Sequence, residues 1–183
     1  VRVIAGSARG IALRAPRDRA TRPVTDRVKE TLFGILGDRV PDARVLDLYA
    51  GSGALGIEAL SRGAAHATFV ERGREALAAI RANLERTGLA TAASVQGLDV
   101  ARFLATGPDE APFDLAFLDP PYEERAILAP LERLVPLLSP GASVVVKHFW
   151  RTEVPIPDGL ARWRDRRFGE TALTFLVRGV EEP

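Results

Sequence analysis

Asp119-Pro120-Pro121-Tyr122 closes an apolar run, Phe113-Asp114-Leu115-Ala116-Phe117-Leu118, that reads as a buried strand. An acid, two prolines and an aromatic ring in that order suit one kind of chemistry. The exocyclic amine of a nucleobase is a poor nucleophile because its lone pair is delocalised into the ring. Acceptors that hold both N–H bonds draw the nitrogen toward a tetrahedral, more nucleophilic geometry. The Asp119 carboxylate and the Pro120 carbonyl supply two such acceptors. Pro120 and Pro121 stiffen the loop and remove N–H donors that would compete. Tyr122 offers a flat face for a splayed-out base. A structural Asp-Pro turn before a helix would explain the same four residues, so the weight falls on what accompanies them.

A second constellation lies upstream. Val45-Leu46-Asp47-Leu48-Tyr49 reads as a strand, and Ala50-Gly51-Ser52-Gly53-Ala54-Leu55-Gly56 follows it and opens a helix. Gly51, Gly53 and Gly56 match the glycine spacing of a dinucleotide loop, and Glu71 stands where an acid takes two ribose hydroxyls. Asp47 decides between cofactors. A pyrophosphate on the helix N-terminus would face its carboxylate at short range, which is unfavourable. S-adenosyl-L-methionine has no phosphate and carries a sulfonium and an ammonium, which a carboxylate there favours. The expected donor site comprises Asp47, Ala50, Gly51, Ser52, Gly53, Glu71 and Arg72, with Asp119 at its edge. Leu98 and Asp99 complete it, Leu98 packing on the adenine and Asp99 accepting from its amine. Asp99 also suits a helix N-cap, and the two roles are compatible.

These loops need a scaffold. Strands are predicted at 44–49, 67–71, 92–96, 113–118 and 143–149, and helices at 54–63, 73–87, 99–106 and roughly 125–138. Alternation of this kind means a parallel sheet wrapped by helices, with ligands at the strand C-terminal ends. Ser139-Pro140-Gly141 is expected to stop the fourth of these helices. Residues 160–168 and 172–178 have no helix between them and should form an antiparallel pair at one edge. Ahead of this, 2–5 and 11–14 suggest a hairpin around Gly6-Ser7-Ala8-Arg9-Gly10. Residues 15–24 read as loop. Thr25 or Asp26 caps a helix whose apolar positions Val28, Leu32, Ile35 and Leu36 share one face. The expected fold is α/β, a Rossmann-like seven-stranded and mostly parallel sheet with helices on both faces. Residues 1–40 form a hairpin-and-helix extension and 41–183 the main domain.

Composition narrows the function. The 183 residues include no cysteine and two histidines, His66 and His148, far apart in sequence. Thiolate metal sites are excluded and a zinc or iron catalyst is disfavoured; no metal is expected. No apolar run reaches the ~20 residues of a membrane span. The N-terminus lacks the apolar core of a signal peptide, so a cytoplasmic protein is expected, and a monomer is expected as well. The net charge of +1 is unevenly spread. Eight basic and three acidic residues among 1–30 give +5, and 17 basic against 21 acidic in the remainder give −4. A basic arm on an acidic body points to a polyanionic partner.

The chain resembles the RsmD-type family of bacterial 16S rRNA guanine-N2 methyltransferases along essentially its whole length. The matching segments are Val3-Ile4-Ala5-Gly6 with Arg9-Gly10, the run from Arg22-Pro23 to Leu32-Phe33, Leu46 to Gly56 continuing through Glu58 to Gly63, Glu71, Asn83-Leu84, and Asp119 to Tyr122. The glycine loop and the tetrapeptide occur in many methyltransferases; the run Arg22-Pro23-Val24-Thr25-Asp26-Arg27 through Phe33 is far more specific. The resemblance implies methylation of one guanine in a loop of the 16S rRNA of the small ribosomal subunit. It also implies that the arm holds RNA, with Arg9, Arg22, Thr25, Asp26, Arg27 and Lys29 as contacts. One departure is visible: the family commonly has a glutamate after the fifth strand's valines, where Lys147 and His148 follow Val146 here.

Other readings use parts of the same pattern. An adenine-N6 or cytosine-N4 methyltransferase shares the tetrapeptide. DNA enzymes of that kind usually carry a sizeable region for groove readout, and this chain has ~40 residues before its core. A protein glutamine methyltransferase usually has Asn where Asp119 stands. A non-catalytic, donor-binding RNA assembly factor would not need the tetrapeptide. A nicotinamide-dependent dehydrogenase fails on Asp47.

Overall fold

The computed structural model describes residues 1–16, 24–121 and 127–179. Its elements in chain order are α1 (Asp26–Leu36), β1 (Arg44–Leu48), α2 (Ala54–Ser61), β2 (His66–Val70), α3 (Arg74–Thr87), β3 (Ala93–Gln96), α4 (Val100–Thr106), β4 (Phe113–Leu118), α5 (Leu128–Leu134), β5 (Leu138–Phe149), β6 (Leu160–Phe168) and β7 (Thr171–Arg178). The strands form one seven-stranded sheet in the order β3-β2-β1-β4-β5-β7-β6. β1 to β5 are parallel, while β7 runs antiparallel between β5 and β6. The order reverses between β1 and β4, so a crevice opens at their C-terminal ends.

Both faces of the sheet are covered. Leu32 and Phe33 of α1, Leu55 and Ile57 of α2, and Ile80 and Leu84 of α3 pack on one face against Val45, Phe69, Leu115, Val145 and Phe175. Phe103 and Leu104 of α4 and Leu131 and Leu134 of α5 pack on the other against Leu46, Val70, Ala116, Val144 and Leu176. The central strands lie between these layers, which is why they read as continuous apolar runs.

The N-terminal arm belongs to the first layer. Val3, Ala8 and Leu13 are buried in the same cluster as α1 to α3. The expected hairpin is reduced to one bridge, Arg2 to Ala12, with Val3 N–H donating to the Ile11 carbonyl and Gly10 N–H to Val3. Its residues instead satisfy their backbone on α2: Ile4 and Ala5 N–H donate to Glu58 and Ser7 N–H to the Ser61 carbonyl. Thr25 caps α1 as expected, accepting from Val28 N–H at 3.4 Å. Phe33 takes the buried place expected for Ile35, which is half-buried.

The fifth strand departs most from expectation. It starts at Leu138, so Ser139-Pro140-Gly141 lies within it and not in a loop. Phe113 pairs with Leu138, but Leu115 pairs with Ser143, so extra residues bulge out there. Gly141, at φ 76°, supplies the left-handed conformation the bulge needs, and a bulge tolerates proline in a strand. α5 correspondingly ends at Leu134 and gives way to a 3-10 turn, Val135–Leu137. The first strand stops at Leu48 because Tyr49 turns to φ 59°.

Candidate active site

The donor loop is built by β1 and the start of α2. Gly51 (φ 57°) and Gly53 (φ 77°) take left-handed backbone that other residues adopt at a cost. A Cβ on Gly51 would meet nothing within 4 Å, leaving the backbone open to a ligand. Gly56 has a different reason to be glycine: a Cβ there would fall 2.3 Å from the Phe69 ring.

Beside this loop lies a cavity of about 390 Å3. Glu71, Leu98, Asp99 and Asp119 line it, with Gly51 and Tyr49 at the loop side. Of the donor residues expected from sequence, Gly51, Glu71, Arg72, Leu98, Asp99 and Asp119 therefore share one cavity wall. Asp47, Ala50, Ser52 and Gly53 are not part of that wall. Asp47 is buried, and its Oδ2 accepts Gly56 N–H at 3.0 Å, one of the orphan donors at the start of α2.

Glu71 organises the rim as well as facing the cavity. Its Oε2 accepts Gly51 N–H at 2.9 Å, and Oε1 accepts Arg72 and Gly73 N–H at 2.9 and 2.8 Å. An ionised carboxylate offers about four lone-pair sites, so acceptor capacity is left for a ligand hydroxyl. Asp99 does cap a helix: it precedes α4 and accepts Ala101 N–H on Oδ1 at 2.9 Å, while Arg72 reaches Oδ2 at 3.4 Å.

The electrostatics favour a cation. Burial pushes the Asp47 carboxyl well above the ordinary range, against the Gly56 hydrogen bond and with Asp119 and Glu71 adding to the rise. A positive ligand nearby would favour the ionised form of such a group, whereas a pyrophosphate would disfavour it further. Apolar Val70, Leu98 and Val100 offer packing for a flat ring, and Glu71 and Asp99 offer acceptors. The residues present fit an adenosyl sulfonium.

Asp119 follows β4, its N–H donating to Leu48 of neighbouring β1 at 3.4 Å. Its Oδ1 meets the Lys147 ammonium from β5 at 2.7 Å. Lys147 is nearly buried, with 8% of its side chain exposed, whereas Asp119 keeps 23%. Burial raises the Asp119 carboxyl, and Lys147 opposes that rise. The position read from sequence only as a departure from the family pattern thus holds the partner of the tetrapeptide's acid. Pro121 lines the cavity with Asp119; Tyr122 lies outside the described residues.

The arm residues separate into two groups. Arg9 and Arg27 are exposed, Thr25 is taken up in capping, and Asp26 pairs with Arg2 at 3.1 Å. Arg22 lies outside the described residues. Lys29 corrects the sequence expectation. It is fully buried, its ammonium is bonded to Glu58 at 3.1 Å and to the Arg2 carbonyl, and it has no route to an RNA phosphate. Its helical position, next to Val28 on the inward side of α1, carries it toward Glu58. Sequence reasoning also assigned no task to Asn83. This buried amide accepts Arg14 N–H and donates to the Arg14 and Ser52 carbonyls at 3.0 and 2.9 Å, fastening the arm to the donor loop.

A donor cavity at the switch point of this sheet, with Asp-Pro-Pro on the next strand, defines a class I S-adenosylmethionine-dependent methyltransferase. The chain belongs to the RsmD-type family, whose model, described as "Conserved hypothetical protein 95", matches residues 1–177. Bacillus subtilis YlbH, provisionally named an rRNA methyltransferase, is 40% identical over 96% of this chain and 97% of its own. Ribosomal RNA small subunit methyltransferase D of Escherichia coli is 37% identical over 99% of this chain and 91% of its own. The solved structure of Escherichia coli yhhF superposes with a TM-score of 0.86 at 35% identity, covering 99% of both chains.

Proposed function

We propose that this enzyme transfers the methyl group of S-adenosylmethionine to the N2 amine of a guanine in 16S rRNA of the small ribosomal subunit. The single observation that carries the reading is the position of Asp119, which lines the donor cavity while held by Lys147. An acceptor for an amine N–H therefore stands beside the methyl donor's site. The names of the relatives from Escherichia coli and Bacillus subtilis support ribosomal RNA as the substrate class.

In this reading Glu71 holds the ribose, Asp99 and Leu98 the adenine, and Asp47 stabilises the donor's positive charge from behind the loop. Bound there, the donor supplies an electrophilic methyl on sulfur. Asp119 and the Pro120 carbonyl grip the guanine amine and localise its lone pair, with Tyr122 stacking the base. As the nitrogen gains the methyl, the bond from methyl to sulfur breaks, the neutral thioether leaves, and the surplus amine proton passes to the Asp119 carboxylate. Holding both reactants at near-attack distance supplies much of the rate. Arg9, Arg22 and Arg27 attract the RNA backbone. We also propose that the enzyme acts in the cytoplasm as a monomer and that the reaction needs no metal. No helix among the described residues is long and apolar enough to cross a membrane.

The test is methyl transfer from labelled donor to unmodified small subunits, free 16S rRNA and DNA, followed by identification of the modified nucleoside. N2-methylguanosine from subunits or rRNA is expected. N6-methyladenosine, N4-methylcytosine or label in protein would overturn the assignment.

A further inference from the structure

A second recess opens at the far side of the catalytic rim. It measures about 340 Å3 and lies against β5, β6 and β7. Arg162, Arg166, Arg167, Trp150 and His148 line it, with Asp165 and Glu153 as its acids. The charge of Asp165 is already engaged, by the Thr174 hydroxyl at 2.7 Å and by Arg162 at 3.8 Å. His148 bonds to Thr174 at 2.9 Å and forms a fixed wall.

The arginines are held in place. The Arg167 guanidinium lies 3.7 Å from the centre of the Trp150 ring, and its Nε donates to the Gly169 carbonyl at 2.8 Å. Arg166 donates through one Nη to the Asp165 carbonyl at 2.9 Å. Each bond uses one of the five N–H donors a guanidinium carries. A stacked, tethered guanidinium loses little freedom when it takes a phosphate.

Topology places this recess at the same end of the sheet as Asp119. Phe149 at the end of β5 pairs with Thr171, and Thr171 pairs with Phe168, so the β6–β7 turn shares the rim on which Asp119 sits. The recess begins at His148, which follows the lysine bound to Asp119 on β5 and points to the opposite face of the sheet. β6 is three strands from β4, about 14 Å at the usual strand spacing. That is a few nucleotides from a base at Asp119. The arm, fastened at Asn83 and Ser52, lies on the opposite side of the same rim.

We propose that this recess is a second RNA-binding site, taking backbone phosphates of the substrate strand on Arg166 and Arg167 beside Trp150. It rests on the reading of RNA as substrate. Substrate RNA is then held on both sides of the target base, by the arm and by the β6–β7 edge.

The experiment titrates full-length protein with a fluorescent single-stranded rRNA oligonucleotide across a salt series, comparing wild type, R166Q/R167Q and R166K/R167K. The glutamine variant should bind several-fold more weakly. Its dependence of log affinity on log salt should flatten by about 1.4, or 0.7 for each of two phosphates no longer neutralised. The lysine variant should recover the salt dependence, and calorimetry should show unchanged donor affinity in all three. Wild-type binding with an unaltered glutamine variant would overturn the recess while leaving the arm and the substrate intact. Loss of binding to intact subunits without loss on the oligonucleotide would assign the recess to a protein and overturn the proposal. A wild type that binds no RNA removes the substrate reading and the proposal with it.

Discussion

Lys147 Nζ lies 2.7 Å from Asp119 Oδ1, joining neighbouring strands β5 and β4 at the point where the donor cavity ends. The acid assigned to the guanine amine is thus half of an ion pair. Burial raises its carboxyl and the lysine restrains it. Asp119 is the stronger acceptor of an amine N–H when ionised. In Lys147→Met the restraint is gone, so the acid limb of the kcat/KM profile should move to higher pH. An unmoved limb would show that Lys147 is only structural. Asp119→Ala should abolish turnover with donor affinity nearly intact, measured by calorimetry.

Glu71 carries two tasks that substitution can separate. Glu71→Ala should weaken donor binding by ~1.5–3 kcal/mol, the range for hydrogen bonds to charged groups. It also strips acceptors from Gly51, Arg72 and Gly73. Glu71→Gln keeps one carbonyl acceptor and should fall between wild type and Ala. Calorimetry with S-adenosylhomocysteine orders the three; equal affinities would remove Glu71 from the donor site.

Asp47 should trade stability for binding. Its folded pKa stands above its ordinary value of 3.8, so folding takes up a proton. The stability it contributes is complete below that value and is lost as pH rises through the folded pKa. Asp47→Asn keeps an acceptor for Gly56 N–H without the charge. It should raise the melting temperature of the ligand-free protein at neutral pH and weaken S-adenosylmethionine binding. Thermal melts across pH with calorimetry test both signs; a lower melting temperature at neutral pH would contradict the argument.

Lys29 and Glu58 form a buried hub that also takes Arg62 at 2.8 Å and two backbone N–H groups of the arm. Breaking a buried pair from one side costs ~3–5 kcal/mol. Lys29→Ala should fall at the lower end of that range, because Glu58 keeps Arg62. Urea unfolding measures it, and a loss within experimental error would mean the hub is dispensable.

The exposed arginines of the arm should act through charge. Arg9→Gln with Arg27→Gln should lower RNA affinity and reduce the salt slope by ~0.7 for each phosphate left without its arginine. Donor binding should stay constant. Salt-dependent RNA titration reads this directly, and an unchanged slope would leave the arm as packing alone.

Much of the site is legible in the sequence because strand and loop chemistry are local. Apolar runs ending in Gly51-x-Gly53 and Asp119-Pro120-Pro121 mark strand C-terminal ends, and those ends meet in any sheet of this topology. Glu71, Leu98 and Asp99 follow the same logic, one site per strand end, and all three line the cavity. β5 is longer than its sequence suggests because Ser139-Pro140-Gly141 has the composition of a stop signal. It serves as a bulge only because β4 is there to pair with its flanks.

The sequence by itself determined the alternation of elements, the glycine loop, Asp119 as the candidate acid and the class of reaction, since each rests on residues adjacent in the chain. Only the tertiary structure decided which charges are spent on one another. Lys29 and Glu58 are 29 residues apart and Lys147 and Asp119 are 28 apart, and no spacing rule links either pair. An ammonium on a helix or strand reads the same in sequence whether it faces water or a carboxylate. Packing of α1 on α2 made Lys29 an internal tie, and the register of β5 on β4 brought Lys147 to Asp119. Burial then makes each pairing consequential, because a charge removed from water must find its counterpart inside the fold.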